Sequence, residues 1–513
     1  MKRQFRTSRV IAALTNIVRA PRTVRSLTIL SLLGASQYLY AQEANSSAAI
    51  TFADVAPILY DNCVRCHNPE GGAPMSLMGY ETAKVYAPLI KYRTGIRDRM
   101  GAMPPWYVEK DIGIQSFKGD MSLSDEEIAT LAAWADAGAP LGDPELIPPP
   151  PAIPTGWTIE PDFVVSSGPI SIGANDPDWW GEYSGAEIVI PLEEDRYVKA
   201  VQVREVNDIG SRETGRETVG GRYIVHHAVY TVGLPGGRAA AAEGSGIWPV
   251  HEVGRNEDRF DNETGPLIKA GSRIFLPSVH LHSAGIDASA RLEFGFELFP
   301  PGFEPKYQRI SVSVGNLGDG VDIDIRAGMD QQELHAYSVL EEHIKIIAFE
   351  PHLHAPGERM CLEAIWGVHQ ETLSCVGYDH NWVRKYTFAD DAQPLLPKGT
   401  ILHMIGWMNN TESNPNVADA RNWQGSGNRS VANMFLELGL QIELSDEEFV
   451  QEMVDRVELL GVTKNDYILG CPLCLSTIPT PGAKPAGWGD QVSGDATNAG
   501  VAGNVVNDSQ GGK

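Results

Sequence analysis

The chain has 513 residues, 42% of them hydrophobic, which is too long for one ordinary domain and too balanced for wholesale disorder, so about three domains are expected. A formal charge of −25 argues against nucleic acid or an anionic lipid surface as partner. A chain of this size can build its core without dense disulfide stapling, so Cys63, Cys66, Cys361, Cys375, Cys471 and Cys474 each need their own explanation.

The first 42 residues carry Lys2, Arg3, Arg6, Arg9, Arg19, Arg22 and Arg25 and no acid. This basic run precedes a short apolar stretch around Leu27 to Leu33 and a small-residue cleavage point at Tyr40-Ala41-Gln42, the order of a secretory signal over 1–42. Removing its seven cations takes the charge from −25 to −32. No later run is long enough to span a bilayer, so the expected mature protein is bacterial, periplasmic or secreted, with no membrane span. An uncleaved signal anchor is the alternative.

Residues 50–145 read as a small helical domain. Ser122-Leu-Ser-Asp-Glu-Glu127 has the form of a capped helix start, followed by Ile128, Leu131, Ala132 and Trp134 at helical spacing and by Gly138 and Pro140 as a stop. At its beginning stands Cys63-Val-Arg-Cys66-His67. In C-x-x-C-H the two thiols can form thioethers to a haem and the histidine can ligate its iron, which predicts one covalent haem c. A sixth ligand is expected downstream, and Met100-Gly-Ala-Met103-Pro-Pro-Trp offers two thioethers. Met103 is preferred because the following prolines restrict its loop. The segment resembles the Met-Pro loop of small c-type cytochromes.

The proline run Pro148–Pro151, with Pro154, cannot continue a helix or pair in a sheet and marks a stiff linker over 146–156. Beyond it, short runs rich in Val, Ile, Tyr and Phe alternate with Gly, Pro, Asn and Asp, as in Tyr197–Val203, Ser311–Val314 and Ile344–Phe349. The length predicts two all-β sandwiches, 157–305 and 306–447, joined near Pro300–Gly302. Residues 448–513 read as a C-terminal extension, disordered from about 479 on its Gly, Ala, Asn, Asp and Ser content.

Histidines crowd into the β region in three clusters: His226-His227, His280-Leu-His282 and His352-Leu-His354. On a strand an H-x-H pair puts both imidazoles on one face, where they can share a metal. An adjacent His-His pair points to opposite faces of a flat strand and can share a metal only if the backbone bends, for example at a bulge. Imidazole-rich sites suit copper, zinc, iron or nickel.

Residues 157–447 resemble the copper type II, ascorbate-dependent monooxygenases, the group of peptidylglycine alpha-hydroxylating monooxygenase and dopamine beta-monooxygenase. The resemblance rests on His226-His227, on His280 in a V-H segment, on Pro351-His-Leu-His-Ala-Pro-Gly357 and on Ser430-Val-Ala-Asn-Met434. Tyr378-Asp-His-Asn-Trp382, Leu396-Pro-Lys-Gly399, Asn409-Asn410 and Asn414-Pro415 lie between them. It implies two jelly-roll-like sandwiches with one mononuclear copper each, the first held by His226, His227 and His280, the second by His352, His354 and Met434. It also implies that the His-Met copper activates O₂ and takes hydrogen from a substrate C–H bond, making His352, His354 and Met434 the catalytic set, while the three-His copper supplies the second electron. The fused haem is the expected electron source, replacing or supplementing an external donor such as ascorbate or a redox protein.

Two positions depart from the peptide-hydroxylating pattern. Glu350 stands where those enzymes carry an arginine for a substrate carboxylate, and Leu438 stands where they carry a tyrosine. A small neutral, apolar or cationic substrate is therefore expected. His282 has no role in the resemblance and is expected on the surface or in packing. Cys361 and Cys375 flank a hairpin containing Gly367 and are expected to pair. Cys471-Pro-Leu-Cys474, with no following histidine, is read as a disulfide or half a metal site, with the disulfide preferred. Two other functions fit the same residues: a non-catalytic haem and copper electron-transfer or copper-binding protein, and an O₂ sensor.

Overall fold

The computed structural model describes residues 49–474 apart from 70, 72, 154–155, 184, 186, 211–221, 235–247, 253–256, 261–262, 308–309, 313–322, 428–430 and 464–465. The leader 1–42, Pro154 and Thr155 of the linker, Ser313 and Val314, Ser430 and the tail from 479 lie outside the described residues.

The amino-terminal helices form where caps and apolar spacing coincide. Helix α1 (Phe52–Asn62) starts at a Thr51/Asp54 capping box and buries Phe52, Val55, Ala56 and Leu59, one face at the helical period. Helix α2 is Tyr80–Ile96. Helix α3 (Asp125–Asp136) begins at Ser124, whose hydroxyl accepts from the Glu127 N–H at 3.2 Å while Glu127 accepts from the Ser124 N–H at 2.8 Å. The three close over a core that includes Phe52, Leu59, Ile90, Leu131 and Trp134. Each large side chain buried there contributes about 1.5–3 kcal/mol.

The stretch between α2 and α3 corrects the expectation of an all-helical unit over 50–145. Val108–Gly113 is a strand, antiparallel to His369–Gly377, at the edge of a five-stranded sheet far along the chain. Trp106, Tyr107, Ile114 and Phe117 are buried with Phe349, Tyr386 and Phe388 of that β region. Tertiary packing decides the element here, because these large apolar and aromatic side chains find their core against the distant sheet.

The chain is otherwise mostly β-sheet, with four α-helices among the described residues. In the first β unit a six-stranded sheet, centred on Arg196–Asn207 and Ala288–Leu298, faces a five-stranded sheet centred on Arg273–Leu281 and Val225–Gly233. Val201, Tyr230, Leu276, Leu292, Phe294 and Phe296 fill the space between. In the second unit the five-stranded sheet runs Val108–Gly113, His369–Gly377, Gly357–Trp366, Ile401–Met408, Gln332–Val339. A four-stranded sheet of Ile310–Val312, Leu440–Leu444, His343–Ile346 and Leu395–Leu396 accompanies it. The hairpin at Gly367 (φ +59°) sets Cys361 opposite Cys375, and the two form a disulfide.

Residues after 447 continue the second unit. Helix α4 (Asp446–Leu460) starts at a Ser445/Glu448 capping box and ends at Gly461 in the left-handed conformation. Its Phe449, Val450 and Met453 pack with Ile442, Leu444, Cys471 and Cys474, and the last two are joined as a disulfide. No helix among the described residues is long and apolar enough to cross a membrane.

Candidate metal centre

The adjacent histidines lie at a bulge. His280 of strand Arg273–Leu281 faces His227, but the next residue, Leu281, faces Val225, so His226 is the extra residue in the strand Val225–Gly233. The His226 and His227 Nδ1 atoms come within 3.1 Å. The ring centre of His280 is 5.4 Å from that of His226 and 4.8 Å from that of His227. Trp180, on the neighbouring strand, sets its ring against His227 and His280.

The second group comes from a short pairing in the other β unit. Pro351–Leu353 runs antiparallel to Phe435–Glu437, with His352 opposite Leu436 and Leu353 opposite Phe435. Met434, half-buried, directly precedes that strand. His354 donates from Nδ1 to the Ala432 carbonyl at 2.9 Å, which fixes its tautomer and makes Nε2 the ring atom able to ligate. The His352 and His354 ring centres are 5.5 Å apart. Gly357 allows the chain to fold back after this pair: a β carbon there would stand 2.5 Å from the Leu353 β carbon.

The two groups abut. His227 and His352 ring centres are 6.4 Å apart. Two further histidines join them. His282 Nε2 lies 3.2 Å from His280 Nε2, with its ring centre 4.4 Å from that of His226, so it belongs to the cluster and not to the outer surface. His380 lies between the groups, 5.3 Å from His226 and 5.8 Å from His354 by ring centres. Side-chain atoms of His226, His280 and His282 all fall within 4.8 Å of one another, as do those of His226, His227 and Glu252.

Burial keeps these rings neutral. It holds His280 and His352 down at about 3 and pushes His226, His227 and His380 well below the usual imidazole range, with neighbouring imidazoles adding to each shift. His280 Nδ1 and His352 Nδ1 are buried with no hydrogen-bond partner. Neutral imidazoles with unpaired nitrogens suit a borderline transition metal such as copper or zinc. Among the described residues, the groups that could hold an ion lie on the His226 side, and His352 and His354 offer two more imidazoles across from it.

In the helical unit Cys63 and Cys66 carry free thiols. Burial pushes the Cys63 thiol up to about 12. His67 is buried, and its Nδ1 lies 3.1 Å from the Met75 carbonyl, so Nε2 is the atom left to ligate. Two cysteines and a histidine held so are compatible with a covalent haem. Met103 is 38% exposed, and its N–H donates to the Arg93 carbonyl at 3.1 Å. Its loop docks onto the turn that holds His380. The Gly101 N–H donates to Asp379 Oδ2 at 3.0 Å, and Asn416, bonded to Asn381 at 2.6 Å, places its Nδ2 3.0 Å from Met100 Sδ.

Sequence reasoning singled out five of these seven clustered histidines as ligands. His282 carried a detectable signal, since its H-x-H spacing puts it on the face of His280. His380 has no partner at i ± 2, and only the tertiary fold brings it in.

No protein-family model matches the chain, and no curated protein matches it. Among solved structures it is weakly similar to the infectious bursal disease virus VP2 subviral particle, at 12% identity over 58% of this chain and 76% of that chain, TM-score 0.16. It is as weakly similar to the STIV MCP, at 7% identity over 45% and 97%, TM-score 0.17. Overlap this low carries no argument about fold or function.

Proposed function

We propose that this protein is a copper-dependent monooxygenase that hydroxylates a C–H bond of a small substrate with O₂ and draws electrons through a c-type haem on Cys63, Cys66 and His67. The observation that carries it is that His226, His227 and His280 gather on one β unit and His352 with His354 on the other, in a buried setting, with Met434 directly before the strand that pairs with Pro351–Leu353. Copper held there would supply one-electron and dioxygen chemistry, and haem would supply single electrons. Converting R–H to R–OH consumes O₂, two electrons and two protons and releases one water. The chain's own part is to keep the imidazoles neutral, aim them through the bulge at His226 and the Ala432 carbonyl, and exclude bulk water. Docking of the Met100–Met103 loop on Asp379 supports a short route from the helical unit to the histidines.

A second reading is a non-catalytic haem and copper electron-transfer or copper-binding protein. The close approach of His227 to His352 favours it, because rings 6.4 Å apart leave no room for an organic substrate between them.

Metal content and one variant separate the readings. The monooxygenase is expected to hold two coppers and one haem iron per chain and to form hydroxylated product. Met434→Ala is expected to abolish product while the haem spectrum and the copper on His226, His227 and His280 persist. Wild-type product formation by Met434→Ala would remove the assigned role of Met434. Copper with no product from a broad panel of C–H substrates would favour the second reading. A haem protein that takes up no copper would sink both.

A further inference from the structure

The resemblance gives His380 no ligand role, although its segment Tyr378-Asp-His-Asn-Trp382 is part of the likeness, and the residue stands in a turn, not on a strand. It is 9% exposed, and neither of its ring nitrogens has a hydrogen-bond partner. Buried polar groups in folded proteins are nearly always partnered, because leaving one unpaired is costly, so two such atoms on one ring need an explanation. A bound metal ion is one, because it takes up a nitrogen lone pair that no protein donor reaches.

The distances fit that explanation. Two imidazoles sharing one ion at about 2.0 Å per bond have ring centres roughly 4.5–6.3 Å apart, depending on the angle between the bonds. His380 stands 5.3 Å from His226 and 5.8 Å from His354, inside that range on both sides. The turn is held in place independently of any ion. Asp379 Oδ1 accepts from the Asn381 N–H at 3.0 Å, Asp379 Oδ2 accepts from the Gly101 N–H at 3.0 Å, and the Trp382 N–H donates to the Asp379 carbonyl at 2.9 Å. The ring is thus presented to the histidines by a fixed support.

We propose that His380 is a copper ligand set between the two histidine groups, so that both coppers lie in one continuous imidazole pocket and not in two separate ones. This rests on the reading of the pocket as a copper site.

The test is Cu(II) titration of the metal-free full chain, wild type against His380→Phe, read by chelator competition and by electron paramagnetic resonance. Phenylalanine keeps the ring volume and removes both nitrogens. The expected result is at least about tenfold weaker binding of one copper and an altered copper spectrum, with the metal-free melting temperature unchanged or raised. Equal affinity and an unchanged spectrum would overturn the role of His380 and leave the copper site standing. No copper uptake by the wild type would end both. If His380→Phe does not fold, X-ray absorption on the copper-loaded wild type decides. It is run on the wild type and on His282→Gln, since His282 lies in the same cluster. Six histidine ligands summed over the two ions in both proteins support the proposal. Five in His282→Gln overturn it.

Discussion

Lys345 is 2% exposed, and its ammonium reaches Glu263 Oε2 at 2.5 Å and Glu452 Oε2 at 3.0 Å. Glu452 also receives Lys306 Nζ at 2.6 Å and the Tyr307 hydroxyl. Burial by itself raises the Glu452 carboxyl, but Lys345, Lys306 and Tyr307 outweigh it and bring the group down to about 2, against 4.5 for a free glutamate. The folded value lies below the unfolded one, so the unfolded chain takes up the proton first. The stabilisation is complete above about 4.5 and is lost as pH falls toward 2. Glu452→Gln is therefore expected to lower the urea midpoint at pH 7, with the gap from wild type narrowing at pH 3. A gap that stays constant with pH would show that the ion pairing does not matter there. None of this network was legible in the sequence, because Glu263, Lys306, Lys345 and Glu452 come from four distant places. The metal-binding histidine candidates were legible because strand periodicity puts H-x-H on one face whatever the rest of the chain does. His380 was not, since a turn has no period to read.

The elements were legible where their signals are local. The capping box at Ser124, the hairpin at Gly367 and the pairing of Cys361 with Cys375 all follow from neighbours in sequence. The bulge at His226 was legible only as a condition, because its register depends on the strand carrying His280. The return after His354 is another element whose geometry the metal pocket needs. The Gly357 N–H donates to the His354 carbonyl at 2.8 Å, and an added β carbon would meet the Leu353 β carbon at 2.5 Å, where neither side can give way without moving the backbone. Gly357→Ala is expected to cost about 1–3 kcal/mol and to weaken copper binding at His352 and His354 more than at His226, His227 and His280. Gly95 in α2 has nothing within 4 Å of its added β carbon, so Gly95→Ala should raise stability, by about 0.5–1 kcal/mol. Urea unfolding of both variants checks the opposite signs. Two equal losses would mean that the close approach at Gly357 is not what limits it.

At the scale of the whole molecule, the helical unit is built into the β scaffold and is not strung on a linker. The proline run at 148–151 suggested a boundary near 145, yet Val108–Gly113 already completes the edge of the second unit's five-stranded sheet. Trp106 packs edge-on against Tyr386 at 5.1 Å, and Phe117 stacks on Phe388 at 5.0 Å. Glu109, 4% exposed, pairs with Arg359. Gly377 has no side chain because the Asp98 carbonyl lies 2.0 Å from where its β carbon would be. Removing residues up to 145 would therefore uncover the edge of strand His369–Gly377 and the aromatic faces behind it, an invitation to aggregation. The full chain is expected to unfold in one transition whether followed at the haem proposed on Cys63, Cys66 and His67 or by β-sheet circular dichroism, because the inserted strand couples the two parts. A chain of residues 146–474 is expected to melt at lower temperature and to associate. Two separate transitions in the full chain, together with a 146–474 fragment as stable as its half of the whole, would show a tethered module. Electron delivery would then depend on linker length instead of on the contact between Gly101 and Asp379.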